Sequence, residues 1–196
     1  MVNGPGVMAL AVCIGLLAAS AARGAGPVVG WGAGATPKIT ASAIAVGRGF
    51  SQNSCAIRAG TGAVVCWGTD GGTPPSSVDG TAGTATAVAV GGGHSCAIQA
   101  GTGAVVCWGL NDWGQATPPS SVDGTAGTAS AIAAGVTQSC AIQAGTGVVV
   151  CWGDNAYGNT TPPLSVDGTA GTASAIAVGA QLRDPGRNRR GRVLGK

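Results

Sequence analysis

Short apolar runs separated by glycines occur along most of the chain, and each run has the length of a β-strand. In the run at residues 104–108, alternation along an extended backbone puts Val105 and Cys107 on one face and Val106 and Trp108 on the other. Both faces are therefore apolar, as in a strand that is covered on two sides. The pattern predicts an all-β protein built from short strands in stacked sheets.

Composition favours strands over helices. The 196 residues include 37 glycines and no glutamate, and charged residues make up only 9% of the chain. Glycine destabilises a helix interior, and the Glu and Lys residues that usually form the solvent-facing side of a helix are nearly absent. We therefore expect strands and turns throughout.

One block of sequence recurs three times. It begins with Ser-Cys-Ala-Ile and ends with Cys-Trp-Gly, and its second cysteine lies eleven residues after its first cysteine. The three cysteine pairs are Cys55 and Cys66, Cys96 and Cys107, and Cys140 and Cys151. The copies begin 41 and then 44 residues apart, a period typical of proteins in which one small unit stacks on the next. The chain is therefore predicted to be a repeat protein.

The two cysteines of each pair flank two short strands joined by Ala-Gly-Thr-Gly. A hairpin centred on this turn places Ile98 opposite Val105 and Cys96 opposite Cys107, within reach of a disulfide bond. Free buried thiols and a zinc site are the alternatives. Three pairs of one spacing favour disulfides, whereas zinc is disfavoured because a close Cys-x-x-Cys is missing and the single histidine, His94, occurs in one copy only.

The segment after each Trp-Gly differs between copies and carries the aromatic residues Trp113 and Tyr157. Aromatic side chains flanked by amides are suited to protein interfaces and also to stacking on sugar rings. In the structural alternative, Asn111 and Asn155 hold the loop turn and the two aromatics pack between repeats. The candidate partner-binding residues are Asn111, Asp112, Trp113, Gln115, Asn155, Tyr157 and Asn159.

Each repeat also contains Pro-Pro and Val-Asp-Gly-Thr. The prolines are expected on a rim outside the strands, since proline donates no hydrogen bond to a sheet. Asp79, Asp123 and Asp167 are predicted to form turns with the backbone ahead of a glycine. A calcium site would need several carboxylates close in sequence, and each turn has one.

Taken together, Ser-Cys-Ala-Ile and Val-Val-Cys-Trp-Gly-x-Asn-x-(Trp/Tyr)-Gly-(Gln/Asn) resemble the regulator of chromosome condensation type repeat in its exported, cysteine-containing bacterial form. The resemblance covers residues 28–179. It implies a β-propeller, usually of seven blades, in which each repeat supplies one antiparallel blade and the rim loops bind partners. Residues 26–179, with three full repeats and a half-blade at the start, are expected to form part of such a ring.

An apolar run at residues 7–22 has the length of a signal-peptide core, and small residues after it allow cleavage after Ala22 or Ala25. Residues 1–25 are therefore predicted to be a signal peptide, with no membrane span after cleavage. This prediction places the protein in the secreted fraction or the cell envelope, where disulfides form.

The net charge of +3 belongs to the tail, because residues 26–179 carry −3 and residues 180–196 carry +5. Residues 180–195 can be encoded by codons that specify a different peptide when they are read one base later. That peptide is His-Ser-Cys-Ala-Ile-Gln-Ala-Gly-Thr-Gly-Ala-Val-Val-Cys-Trp-Gly, which is identical to residues 94–109. We predict that the tail is a frameshifted fourth hairpin, so that the chain is a fragment of a longer propeller; with a genuine tail it would be a truncated gene product. The alternative is a genuine basic tail that binds an acidic surface or nucleic acid.

Catalysis needs paired acid and base groups, which this composition does not supply. His94 is interpreted as a polar residue at a strand end, because its equivalents in the other copies are Asn53 and Gln138. The sequence therefore predicts a non-enzymatic protein-interaction scaffold without metal, cofactor or nucleic-acid partner. An extracellular glycan-binding module is the alternative.

Overall fold

The computed structural model describes residues 26–28, 39–47, 52–69 and 72–179. Within these ranges the secondary structure is entirely β, which confirms the predicted class. The signal-peptide prediction for residues 1–25 and the tail at 180–196 fall outside the described residues. The ten strands are β1 Gly26–Val28, β2 Ile39–Val46, β3 Asn53–Arg58, β4 Val64–Gly68, β5 Ala85–Val90, β6 His94–Gln99, β7 Val105–Gly109, β8 Ala129–Ala134, β9 Gln138–Gln143 and β10 Val149–Gly153.

The strands form three antiparallel sheets, and each sheet contains one copy of the same three-stranded unit. We call these units blade 1 (β2–β4), blade 2 (β5–β7) and blade 3 (β8–β10). In each blade a first strand pairs with the first arm of a hairpin, and the pairing contains a bulge at the same place. Strand β1 extends the sheet of blade 1 by pairing with β2.

The hairpin register agrees with the prediction. Cys96 pairs with Cys107 and Ile98 with Val105, and the other two hairpins have the same register. All three cysteine pairs are joined as disulfides, with Cα atoms 4.0–4.1 Å apart. This separation is that of a non-hydrogen-bonded antiparallel pair drawn slightly together.

Apolar side chains are buried mainly between successive blades. On one side of the first contact lie Cys55, Ile57 and Val64 of blade 1; on the other lie Ala97 and Trp108 of blade 2. The two faces of each hairpin therefore differ. In blade 2 the face with the disulfide packs on blade 3, and the face with the tryptophan packs on blade 1.

The contact between blades 2 and 3 repeats this arrangement. Cys96, Ile98 and Val105 pack against Ala141 and Trp152. The alternation along residues 104–108 predicted these two apolar faces, and the structure confirms them.

The aspartate turns are also as predicted. The side-chain Oδ1 atoms of Asp79, Asp123 and Asp167 accept hydrogen bonds of 2.7–2.8 Å from backbone N–H groups two residues later. These bonds hold the carboxyl pKa of Asp79 and of Asp123 below its usual range. Each carboxylate therefore serves its own turn.

Candidate functional site

The loop that follows the Trp-Gly of blade 2 is fixed by one amide side chain. Asn111 Oδ1 accepts a hydrogen bond from the backbone N–H of Ala116 at 2.8 Å. The Nδ2 group of the same side chain donates to Thr117 Oγ1 at 2.9 Å. Asn111 therefore joins the two ends of the loop.

The equivalent loop of blade 3 has the same internal support. Asn155 Oδ1 accepts from the backbone N–H of Thr160 at 3.0 Å, and its Nδ2 group donates to Thr161 Oγ1 at 3.4 Å. The structural alternative for Asn111 and Asn155 is thus confirmed, because both hold a loop turn.

The two loop aromatics are mostly exposed. Trp113 is 59% and Tyr157 is 57% accessible to solvent. Trp113 does not pack between blades 2 and 3, because strand residues such as Trp152 fill that space. No described blade follows blade 3, so the packing of Tyr157 between blades stays a prediction. Asp112, beside Trp113, is exposed as well.

Gln115 is placed differently from the other candidates. Its exposed fraction is only 4%. Its backbone carbonyl oxygen accepts hydrogen bonds from Ser139 Oγ at 3.1 Å and from Trp152 Nε1 at 2.9 Å. Its side-chain Oε1 accepts from the backbone N–H of Trp113 at 2.8 Å. Gln115 therefore fastens the loop to blade 3 and lies beneath the exposed surface. Asn159, at the equivalent place in blade 3, is half-buried.

A second set of polar residues, which sequence reasoning did not recognise as contacts, connects neighbouring blades. Asn53 Nδ2 donates to Ser95 Oγ at 3.0 Å, and the Nε2 atom of His94 lies 2.8 Å from Ser139 Oγ. All four residues are buried. The signal in the sequence is the serine before each cysteine together with the polar residue before that serine.

The contact between His94 and Ser139 is not a nucleophile and base pair. Ser139 donates its hydroxyl hydrogen to Gln115, so the His94 Nε2–H donates to the serine oxygen. The Nδ1 atom of His94 has no partner among the described residues, and both side chains are fully buried. The pair therefore stabilises the contact between blades.

The buried histidine makes stability depend on pH. Burial lowers the pKa of His94 from 6.5 to about 4, so the neutral ring is favoured in the folded state. This stabilisation is complete above pH 6.5, is lost progressively as the pH falls from 6.5, and is gone once the pH has passed through 4. Between pH 7 and pH 5 we expect the free energy of unfolding to fall by about 2 kcal/mol more than in His94→Asn.

Urea unfolding of the oxidised chain at several pH values measures this difference. His94→Asn is the matched variant, because Asn53 donates to a serine at the equivalent position of blade 1. If the free energy of unfolding changed equally with pH in both proteins, the low pKa of His94 in the folded state would be contradicted.

Comparison with known proteins gives structural likeness only. No protein-family model matches the chain, and no curated protein matches it. The CRINKLY WD40 ectodomain of the Arabidopsis thaliana receptor kinase ACR4 is 23% identical with a TM-score of 0.52, over 76% of this chain and 48% of that one. The ectodomain of the Physcomitrella patens receptor kinase CR4 is 24% identical with a TM-score of 0.53, over 74% of this chain and 35% of that one.

The fold is a partial β-propeller. Three stacked antiparallel blades and these two likenesses confirm the predicted fold class. Yeast RCC1 (Prp20), in a structure bound to Kap60, is 16% identical with a TM-score of 0.45, over 69% of this chain and 38% of that one. The chain spans less than half the length of each of these three structures.

The described part of the chain contains neither a candidate membrane helix nor a candidate metal centre. None of its segments is a helix long and apolar enough to cross a membrane. Nowhere in that part do three or more His, Cys, Asp or Glu side chains group as metal ligands would.

Proposed function

We propose that the protein is a non-enzymatic, extracytoplasmic interaction scaffold that binds a protein partner through its loop aromatics. The observation that carries this proposal is the exposure of Trp113 and Tyr157 on loops that Asn111 and Asn155 hold in one conformation. The loops occupy equivalent places in successive blades, so both aromatics belong to the same edge of the blade stack.

The energetics of association support this surface. Tryptophan and tyrosine anchors supply much of the binding energy in protein interfaces. A loop that is already fixed loses less conformational entropy when a partner binds, so more of the contact energy contributes to affinity. The hydrogen bonds of Asn111, Asn155 and Gln115 supply that preorganisation.

A protein partner is favoured over a glycan. Sugar recognition needs free amide or carboxylate groups that hydrogen-bond hydroxyls beside the stacking aromatic. Here the side chains of Asn111 and Asn155 bond within their own loops and Gln115 is buried, so Asp112 is the exposed polar candidate beside Trp113. Glycan binding therefore stays the second hypothesis.

The reactive side chains support a non-enzymatic, extracytoplasmic assignment. Six cysteines are joined as three disulfides, which are typical of oxidising compartments. His94 is buried between blades, and Asp79 and Asp123 bond their own turns. The net charge of −3 on residues 26–179 gives no basic surface for nucleic acid.

The test is removal of the two aromatic anchors. We expect Trp113→Ala combined with Tyr157→Ala to weaken partner binding by at least about thirtyfold, because hot-spot aromatics contribute about 2 kcal/mol or more. Partners are captured on the full chain from an extracellular extract, identified by mass spectrometry, purified and titrated against both proteins.

Leu164→Ala serves as the control, because Leu164 is an equally exposed apolar side chain outside these loops. A partner that binds the double variant and wild type equally would contradict the proposed surface. Binding on a glycan array that Trp113→Ala abolishes would support the glycan hypothesis instead.

A further inference from the structure

Residues 173–179 occupy the place of a first strand, although blade 3 is already complete without them. Ala85 and Ala129, which begin the first strands of blades 2 and 3, each donate a backbone hydrogen bond of 2.9 Å to a glycine of the preceding hairpin turn. Ala173 makes the same bond, at 2.8 Å, to Gly147. The segment therefore begins where the first strand of a further blade would begin.

This segment lacks the hairpin that pairs with the other first strands. In blades 2 and 3, a backbone N–H of the hairpin, from Ala100 or Ala144, donates to the carbonyl oxygen of Thr84 or Thr128. The equivalent carbonyl, that of Thr172, receives no such bond from any residue the structure describes. Residues 173–179 are not assigned to a strand.

The face of blade 3 beside this segment is open. A cavity of about 400 Å³ lies between residues 173–179 and the disulfide of Cys140 and Cys151. Its floor includes Val149 and Val166. The equivalents of Val166 in blades 1 and 2 are Val78 and Val122, which are both fully buried, whereas Val166 is only partly buried.

The two covered faces show what kind of element fits such a face. Each is covered by the alanine of Ser-Cys-Ala-Ile and the tryptophan of Cys-Trp-Gly from the next hairpin; these residues are Ala97 with Trp108 and Ala141 with Trp152. An incoming hairpin of the same sequence would bring the same side chains to the open face.

The open face also carries polar residues equivalent to those that bond the next hairpin in blades 1 and 2. Asn53 and His94 each bond the serine of the next hairpin, and their equivalent, Gln138, lies in the cavity wall. Asn159, the equivalent of Gln115, also lines the cavity, and its buried Oδ1 atom has no hydrogen-bond partner in the described ranges. At Gln115 the next hairpin supplies a serine hydroxyl and an indole N–H, and both donate to the backbone carbonyl oxygen. The equivalent acceptor on the open face is the backbone carbonyl oxygen of Asn159, which receives no backbone hydrogen bond from any residue the structure describes.

We propose that residues 173–179 and the open face of blade 3 bind a β-hairpin of the repeat's own sequence, which completes a fourth blade by adding to the free strand edge. The shifted reading frame of residues 180–195 can encode such a hairpin, identical to residues 94–109. This docking surface differs from the exposed loop aromatics, and its occupant is a disulfide-closed hairpin.

The backbone direction identifies a residue that tests the proposal. Cys96 is at a non-hydrogen-bonded position toward Cys107, so its N–H and C=O groups face Ala89 of the first strand. Ala177 is the equivalent of Ala89, and it is exposed. Its N–H should therefore donate to the incoming hairpin, and proline there removes that donor.

The experiment titrates the oxidised full chain with a disulfide-closed synthetic peptide of the sequence of residues 94–109, using calorimetry. We expect one peptide per chain, with binding at least about tenfold weaker for Ala177→Pro than for the matched Ala177→Ser. A peptide with alanine at the positions of Ser95 and Trp108 should be weakened to the same extent. Hydrogen exchange should show new protection of residues 173–179 when the first peptide binds.

Three results would overturn the proposal. The first is that the peptide does not bind at its solubility limit. The second is that the alanine-substituted peptide binds equally well. The third is that the peptide binds without protecting residues 173–179 from hydrogen exchange. Self-association of the chain that Ala177→Pro abolishes, in a protein that does not bind the peptide, would place a second copy on this face and would overturn the assigned occupant as well.

Discussion

Gly109→Ala is expected to lower the free energy of unfolding by more than about 3 kcal/mol. Gly109, in the Cys-Trp-Gly of blade 2, has a φ angle of +98°. A Cβ atom there would lie 2.5 Å from the carbonyl oxygen of Gly93 and 2.9 Å from the Cα of His94. Both neighbours are backbone atoms, so the clash can be relieved only if β6 and β7 move apart. His94, which contacts blade 3, lies at this point.

Gly101→Ala in the hairpin turn is the matched control. Its φ angle is +84°, and a Cβ atom there would meet nothing within 4 Å. We expect a loss of about 1 kcal/mol, which is the cost of a left-handed conformation alone. Urea unfolding of the oxidised proteins measures both values, and equal losses would show that the repeated Trp-Gly does not depend on this close strand approach.

Removing the disulfide of blade 2 by Cys96→Ala with Cys107→Ala is expected to cost about 3 kcal/mol of stability. The two cysteines are eleven residues apart, so the bond closes a short loop and restricts the unfolded chain. Both cysteines also pack in the contact between blades 2 and 3, so their truncation removes apolar contacts.

The matched variant is Cys140→Ala with Cys151→Ala, which opens a loop of the same length on the open face of blade 3. We expect it to lose less stability than the blade 2 variant, because fewer contacts disappear. Chemical unfolding with and without a reductant measures both effects. Native protein in which the six cysteines of the repeats react freely with a thiol reagent would contradict the disulfide assignment.

Several features of the fold could be predicted from the sequence because they depend on residues close together in the chain. The register that pairs Cys96 with Cys107 follows from a short turn and strand alternation. The turn at Asp123 needs only a backbone N–H two residues away. Repetition in three copies made each of these local patterns recognisable.

The candidate site was only partly predictable. Loop composition pointed to Trp113 and Tyr157 but left open whether they pack between blades or meet solvent. It also grouped Gln115 with the exposed candidates, although Gln115 is buried under the loop. The decision depends on how blade 3 lies against blade 2, and no local pattern encodes that angle.

The sequence by itself determined the strands, the hairpin register, the disulfide pairing and the aspartate turns, since neighbours in the chain make each of them. Only the tertiary structure decided that His94 meets Ser139, which lies 45 residues further along, and that Trp152 donates to Gln115, 37 residues before it. It also decided that the loop aromatics stay in solvent and that one face of blade 3 is open. These outcomes depend on the stacking of whole blades, in which buried area and polar pairing between distant segments are optimised together.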